Sequence, residues 1–310
     1  MKILVTGGAG FIGSHLADAL IAAGHEVVIV DHHKKDKPRF PNEKATVYKI
    51  SFHSPELEEV FRTEKPDAVC HLAAQISVTH SVANPIADAQ TNIVSSVHVL
   101  DLARKYGVKK FVFASSGGAI YGDHPERPTP EKHDAQPISP YGVAKQAFEH
   151  YLDLYREQHG FATVALRFSN VYGPRQMALG EASVIAIFLE RLRTGRPATI
   201  FGDGSATRDY LFVGDAVRAF VKALTSDFVG TVNIATAKET SVLELWNTLR
   251  TIHGKEHPLD FFPFRPGEVE RSVLSPAWAK EVLDWEPQTS LEAGLKETYE
   301  WYMGMFGDKE

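Results

Sequence analysis

Short apolar runs punctuate the first half of the chain at regular intervals. They are Lys2–Thr6, Glu26–Val30, Thr46–Ile50, Ala68–Leu72, Lys110–Ala114 and Thr163–Phe168. Each is rich in Val, Ile or aromatics and nearly continuous in hydrophobicity, the pattern of strands buried on both faces. Between them lie segments of helical period: Ile12–Ala23, Pro55–Thr63, Asn92–Tyr106 and Tyr141–His159. Strands alternating with helices predict an α/β fold, a doubly wound parallel sheet with right-handed crossovers. The pattern changes after Tyr172, where Gly173–Pro174 breaks the chain. Gly180–Thr194 reads as a helix, and Pro258–Pro266 is rich in proline and aromatics with little strand period. Residues 1–171 are therefore expected to form the sheet domain, and 172–310 a smaller substrate-side region. Thr231–Ala235 reads as a strand, so that 231–236 returns to the main sheet.

The first strand runs straight into Thr6-Gly7-Gly8-Ala9-Gly10-Phe11-Ile12-Gly13, which opens the first helix. Such a turn needs positive φ and a backbone open to close approach, and the helix start offers free N–H groups to a pyrophosphate. A glycine motif alone is weak evidence; strand–turn–helix context makes it a dinucleotide site. Asp31 ends the second strand 18 positions beyond Gly13. A carboxylate there accepts ribose hydroxyls and repels a 2′-phosphate, favouring NAD over NADP, although Lys34 and Lys35 lie close by.

Composition narrows the field. The 310 residues carry 33 Lys+Arg against 39 Asp+Glu, a formal charge of −6, with 44% hydrophobic and 23% charged residues. This is an ordinary globular balance without the basic footprint of a nucleic-acid binder. No apolar run reaches the roughly 20 residues of a membrane span. The strand beginning at Lys2 leaves no room for a signal peptide, and the single Cys70 calls for no oxidising compartment. A cytoplasmic chain is expected. The fourteen histidines show no zinc spacing, and adjacent His32 and His33 are poorly placed to chelate one ion, so no metal is expected.

Tyr141 and Lys145 stand four apart on one helical face. A free phenol with a pKa near 10 is a poor base at neutral pH, and a lysine ammonium one turn away favours its anion. The same spacing is common on solvated helices. Upstream, Ser115-Ser116-Gly117-Gly118 ends a strand, and parallel-sheet enzymes place reactive groups at that end.

Together these motifs resemble the extended short-chain dehydrogenase/reductases of the NAD-dependent epimerase/dehydratase family, most closely the UDP-glucose 4-epimerase branch. TGGAGFIG at 6–13, HLAAQ at 71–75, SSGGAIYG at 115–122, SPYGVAK at 139–145, LRFSNVYGPRQ at 166–176, FGDGSATRDYLFV at 201–213, NIAT at 233–236 and RPGE at 265–268 carry the likeness. The resemblance implies Tyr141 as acid/base, Lys145 as its partner and nicotinamide-ribose ligand, and Ser116 as the catalytic hydroxyl. Counting back from Tyr121 would select Gly117 instead. The usual 25-residue interval from Tyr141 gives Ser116, with the glycine pair expected to absorb the extra residue as a bulge. It further implies cofactor contacts from Gly7, Gly10, Phe11, Ile12, Gly13, Asp31, Leu72, Ala73, Ala74 and Gln75. Substrate contacts fall on Asn170, Arg208, Arg265, Glu268 and Ser272, the arginines suiting a diphosphate. Ser51-Phe52 replaces the family's acidic adenine contact.

The implied function is 4-epimerisation of a UDP-hexose through a transient 4-keto sugar. A 4,6-dehydratase is disfavoured, because Gly117–Gly118 stands where that branch has an Asp-Glu pair. A decarboxylase, a net reductase and a non-catalytic NAD-binding protein are the other readings. By the same resemblance the chain is expected to be a homodimer joined through helices near Asn92–Tyr106 and Tyr141–His159. Val97, Leu100, Leu102, Phe148, Leu152 and Leu154 offer apolar surface for this, some of them necessarily facing the parent sheet.

Overall fold

The computed structural model describes residues 1–32, 39–123, 126–178, 183–263 and 269–307. Its main sheet contains β1 (Lys2–Thr6), β2 (Glu26–Val30), β3 (Thr46–Tyr48), β4 (Ala68–His71), β5 (Lys110–Ser116) and β6 (Ala162–Phe168). A seventh strand, Gly230–Ile234, pairs with β6, from Gly230 beside Val164 to Ile234 beside Phe168. The spatial order is β3-β2-β1-β4-β5-β6 followed by Gly230–Ile234, every neighbouring pair parallel.

Strand alternation explains why the runs are apolar throughout. Ile3 and Val5, Val27 and Ile29, Cys70, Val112, and Val164 and Leu166 face one core. Leu4, Val28 and Val30, Val69, Phe111 and Phe113, and Ala165 face the other. The first core is closed by helices Phe11–Ala22, Val184–Thr194 and Val213–Thr225; the second by Leu57–Glu64, Ser95–Lys105 and Pro140–His159.

Several boundaries differ from the sequence expectation. β3 stops at Tyr48, whose hydroxyl donates to Glu64 Oε1 at 2.6 Å; it is the sheet's edge. β5 continues two residues past Ala114, with Ser116 opposite Phe168. Gly117–Ile120 then forms a short helix, so the glycine pair starts a helical turn rather than forming a bulge. The expected Asn92–Tyr106 helix is two pieces: a π-turn at Gln90–Val94, then an α-helix at Ser95–Lys105. Within Pro258–Pro266, Leu259–Phe262 forms a strand beside Ala198–Phe201, and its exposed Phe261 and Phe262 obscure the period. The first residues of the expected Gly180–Thr194 helix lie outside the described residues; the helix is seen from Val184.

Small ladders stand over the sheet's carboxyl end. Asn170–Tyr172 pairs with Tyr210–Phe212, and Thr207–Arg208 lies between Thr240–Ser241 and Arg271–Ser272. They bring distant parts of the second half toward the ends of β1, β4 and β5. Helix Val213–Thr225 meanwhile packs on helix Phe11–Ala22, so the second half also completes the first core.

Candidate active site

A cleft of about 1570 Å³ runs along the carboxyl end of the sheet, from the glycine turn past Ser116 and Tyr141 to Arg208. At its floor, Gly7 has φ +72°, and its N–H donates to the Val30 carbonyl at 2.8 Å. A Cβ on Gly13 would stand 2.2 Å from the Gly7 oxygen, and one on Gly7 would stand 3.0 Å from the Ala73 nitrogen. Only bare backbone lets the turn, the helix start and the β4 loop meet this closely.

Asp31 is buried, and its Oδ2 accepts from the Ala9 N–H at 3.1 Å. Its Oδ1 has no hydrogen-bond partner and lies 3.4 Å from Arg39 Nε, which likewise has none. Arg39, absent from the sequence reading, stands eight positions beyond Asp31 and belongs to no sequence motif. Lys34, Lys35 and His33 lie outside the described residues.

Leu72, Ala73 and Ala74 line the cleft. Thr6 Oγ1 accepts from the N–H groups of Leu72 and Ala73 at 3.2 Å each, and shares a 2.7 Å hydrogen bond with His71 Nδ1. Burial holds the His71 imidazole neutral, with its pKa lowered to about 3. Gln75 behaves differently. Its side chain donates to Asp88 Oδ1 at 2.8 Å and to the Ser77 carbonyl, and its N–H donates to Asn92 Oδ1. Asp88 and Asn92 are both buried and joined at 2.9 Å. This network escaped the sequence reading because a π-turn has no distinct period to reveal it. Phe52 lines the cleft beside His71, an apolar wall where an adenine-binding carboxylate was lacking.

Ser139 caps the helix carrying Tyr141, accepting from the Gly142 N–H at 3.2 Å, and Pro140 occupies its first turn. Ser116 stands beside Tyr141 and favours its phenolate. Burial pushes the Tyr141 pKa up to about 12, opposed by Ser116 and reinforced by the Asp88 charge. Lys145 Nζ donates to the Ala114 carbonyl at 2.9 Å and lies 5.7 Å from the Tyr141 ring centroid. Burial lowers its pKa to about 8, while Glu149 and Asp88 favour the ammonium.

The adjacent serines part company. Ser115 Oγ donates to Glu149 Oε1 at 2.5 Å, and Glu149 pairs with Arg167 at 2.6 Å. That engagement commits Ser115 to the Glu149–Arg167 pair, whereas Ser116 is the serine that acts on Tyr141.

Asn170 and Arg208 line the cleft. Arg208 Nη1 donates to the carbonyls of Thr207 and Glu270 at 2.8 and 3.3 Å. Ser272 pairs with Arg208 across the ladder. A Cβ on Gly118 would lie 3.5 Å from Asn170 Oδ1 and 4.0 Å from Ser272 Oγ, so these residues gather just beyond Ser116. Arg265 and Glu268 lie outside the described residues.

The fold and cleft define a dinucleotide-binding protein of the doubly wound α/β class: a bare-glycine cradle, a buried carboxylate with an unmet oxygen, and a tyrosine–lysine pair at the carboxyl edge. The profile of the NAD dependent epimerase/dehydratase family matches residues 3–235. A UDP-glucose 4-epimerase from Mycolicibacterium smegmatis is 42% identical over 97% of this chain and 98% of its own. The solved UDP-glucose 4-epimerase of Thermotoga maritima with UDP-glucose superposes with a TM-score of 0.96 at 46% identity, covering 98% of this chain and 99% of that one. The Thermus thermophilus UDP-glucose 4-epimerase complex with NAD gives 0.93 at 40% identity, with 98% and 99% covered. The chain belongs to the NAD dependent epimerase/dehydratase family. Among the described residues no helix is long and apolar enough to cross a membrane.

Proposed function

We propose that this protein is an NAD-dependent 4-epimerase of UDP-hexoses, of the UDP-glucose/UDP-galactose kind. The observation that carries the reading is Tyr141, with Ser116 and Lys145 beside it, in one cleft with the glycine turn. The solved relatives bearing UDP-glucose and NAD support it.

The chain's residues suit the cofactor. Gly7, Gly10 and Gly13 with Phe11 and Ile12 would cradle the pyrophosphate, Asp31 the adenosine ribose, Leu72–Ala74 the middle of the dinucleotide, and Lys145 the nicotinamide ribose. Gln75 would act from behind, fixing that loop. Bound NAD would supply reversible hydride acceptance at sugar C4, with net redox zero. Tyr141 takes the 4-hydroxyl proton and gives it back, with the neighbouring Ser116 hydroxyl as its relay. Lys145 holds its positive charge near the phenolate oxygen. Residues 172–310 contribute mainly substrate contacts: Asn170 at their border, Arg208 and Arg265 toward the diphosphate, Glu268 toward the uridine, and Ser272 at the sugar wall. The anchored diphosphate lets the flat 4-keto sugar turn over and present its other face. Gly117 and Gly118 offer no acid or base for water loss, which separates this site from a 4,6-dehydratase. The chain is proposed to act in the cytoplasm, as a homodimer.

Purified protein incubated with NAD and, separately, UDP-glucose, UDP-galactose and UDP-N-acetylglucosamine should interconvert the glucose and galactose forms. Failure to epimerise any of the three would remove the reading. The small Ser272 should admit the acetamido sugar, and Ser272→Tyr should suppress that substrate selectively. Equal loss of kcat/KM for both kinds of sugar would exclude Ser272 as the gate.

A further inference from the structure

Arg39 occupies a place that the glycine turn and Asp31 alone do not account for. The segment holding it is fastened onto the turn, because the Phe40 N–H donates to the Ala9 carbonyl at 3.0 Å. The next link is Asn42, whose Nδ2 donates to Asp18 Oδ1 at 2.6 Å on the first helix. Arg39 lines the cleft, and its Nη1 would lie 3.7 Å from a Cβ placed on Gly10. Its guanidinium thus spans from Asp31 to the glycine turn. The pair it makes with Asp31 is imperfect. At 3.4 Å, Nε and Oδ1 attract as charges, yet neither atom has a hydrogen-bond partner, and both are buried. A buried donor and a buried acceptor left unmet side by side are costly unless a third group satisfies both.

A sugar hydroxyl is such a group, since it accepts from the guanidinium and donates to the carboxylate. A phosphate monoester accepts only: it would satisfy Arg39 and be repelled by Asp31. We propose that Arg39 is a cofactor-binding and specificity residue, forming with Asp31 a two-sided reader of the adenosine ribose hydroxyl, and that Asp31 masks a latent 2′-phosphate site on Arg39. This rests on the NAD reading above. Arginine suits either ligand, because its planar fork keeps one edge toward Asp31 while another meets an oxygen of the cofactor.

Equilibrium binding of NAD and NADP, followed by calorimetry without sugar substrate, tests this on four proteins: the parent, Arg39→Met, Asp31→Ser and the double variant. Circular dichroism confirms that each is folded, and Arg39→Lys supplies a variant that keeps charge but loses the fork. Loss of a charge-assisted hydrogen bond should weaken NAD binding by Arg39→Met roughly tenfold or more, with Arg39→Lys between it and the parent. Asp31→Ser should gain NADP affinity by a similar factor, and adding Arg39→Met should remove that gain. NAD affinity unchanged within about twofold in Arg39→Met, or NADP bound equally by Asp31→Ser and the double variant, would overturn the proposal while leaving the NAD reading intact. A parent protein that binds neither dinucleotide would overturn both.

Discussion

Lys145 is buried at the foot of its helix, with its ammonium over the Phe113 ring at 4.6 Å and its pKa lowered to about 8. A cation whose folded pKa lies below its unfolded value of 10.5 destabilises the fold while it is charged. The penalty is full below about pH 8 and fades as pH rises toward 10.5, where both states become neutral. The shift corresponds to roughly 3 kcal/mol. Lys145→Met should therefore stabilise the cofactor-free protein at pH 7 by up to roughly that amount while abolishing turnover, and its advantage should vanish near pH 10. Chemical denaturation at the two pH values checks this; a variant less stable than the parent at pH 7 would contradict it. Tyr141 explains why the lysine is kept. With its pKa at about 12, the phenol needs nearby positive charge to give up its proton at neutral pH. Tyr141→Phe should lower kcat by about 10²–10⁴ and leave NAD binding nearly unchanged. Ser116→Ala should also act on kcat. Ser115→Ala should instead lower stability by about 1 kcal/mol, because it strips a donor from buried Glu149. The reverse assignment of effects would mean that the other serine faces the substrate.

The elements most legible in the sequence are those whose two faces are both buried. β1 and β2 end where the apolar runs end, because each strand must stop where its backbone turns toward the cleft. Edges and helix entrances were less legible. β3 is short because only one neighbour supports it, and the Gln90–Val94 turn is fixed by tertiary bonds from Asn92 to Gln75 rather than by local preference. The glycine turn was read correctly as strand–turn–helix, yet spacing alone does not rank its glycines. Geometry does: a Cβ on Gly10 would sit 3.2 Å from the Gly7 oxygen, whereas one on Gly13 would collide at 2.2 Å with that same atom. Gly13→Ala must push the helix start away from the turn. It should lower stability by roughly 1–3 kcal/mol and abolish NAD binding, whereas Gly24→Ala, at a loop with nothing within 4 Å, should spare cofactor affinity even though its φ of +82° costs stability. Comparable NAD affinity in the two variants would show that the cradle tolerates a methyl group.

At the scale of the whole molecule, the surface proposed to join two copies has to be redrawn. Leu100, Leu102, Phe148 and Leu152 are buried in the second core and cannot meet a partner. Val97 packs partly against that core, and of the six residues read from sequence only Leu154 is exposed. The period alone cannot say which of the six face the sheet, because a helix packed on a sheet has one apolar stripe committed inward, and a second apolar stripe can be separated only when the first is known. The structure separates them on helix Pro140–His159. Val143, Tyr151 and Leu154 are 49%, 38% and 40% exposed, at spacings of eight and three that share one outward face, with Ala147 midway between the first two. Val94, 53% exposed, lies on the π-turn that packs against the same helix. An apolar stripe of this kind on a helix suits antiparallel packing against its own copy about a two-fold axis. Val143→Glu with Leu154→Glu places charge on that stripe without touching the inward core. If the stripe is the contact, light scattering at micromolar concentration should give a dimeric mass for the parent and a monomeric one for the double variant, with secondary structure preserved. A monomeric parent would reject the dimer; a variant that stays dimeric would move the interface to another face.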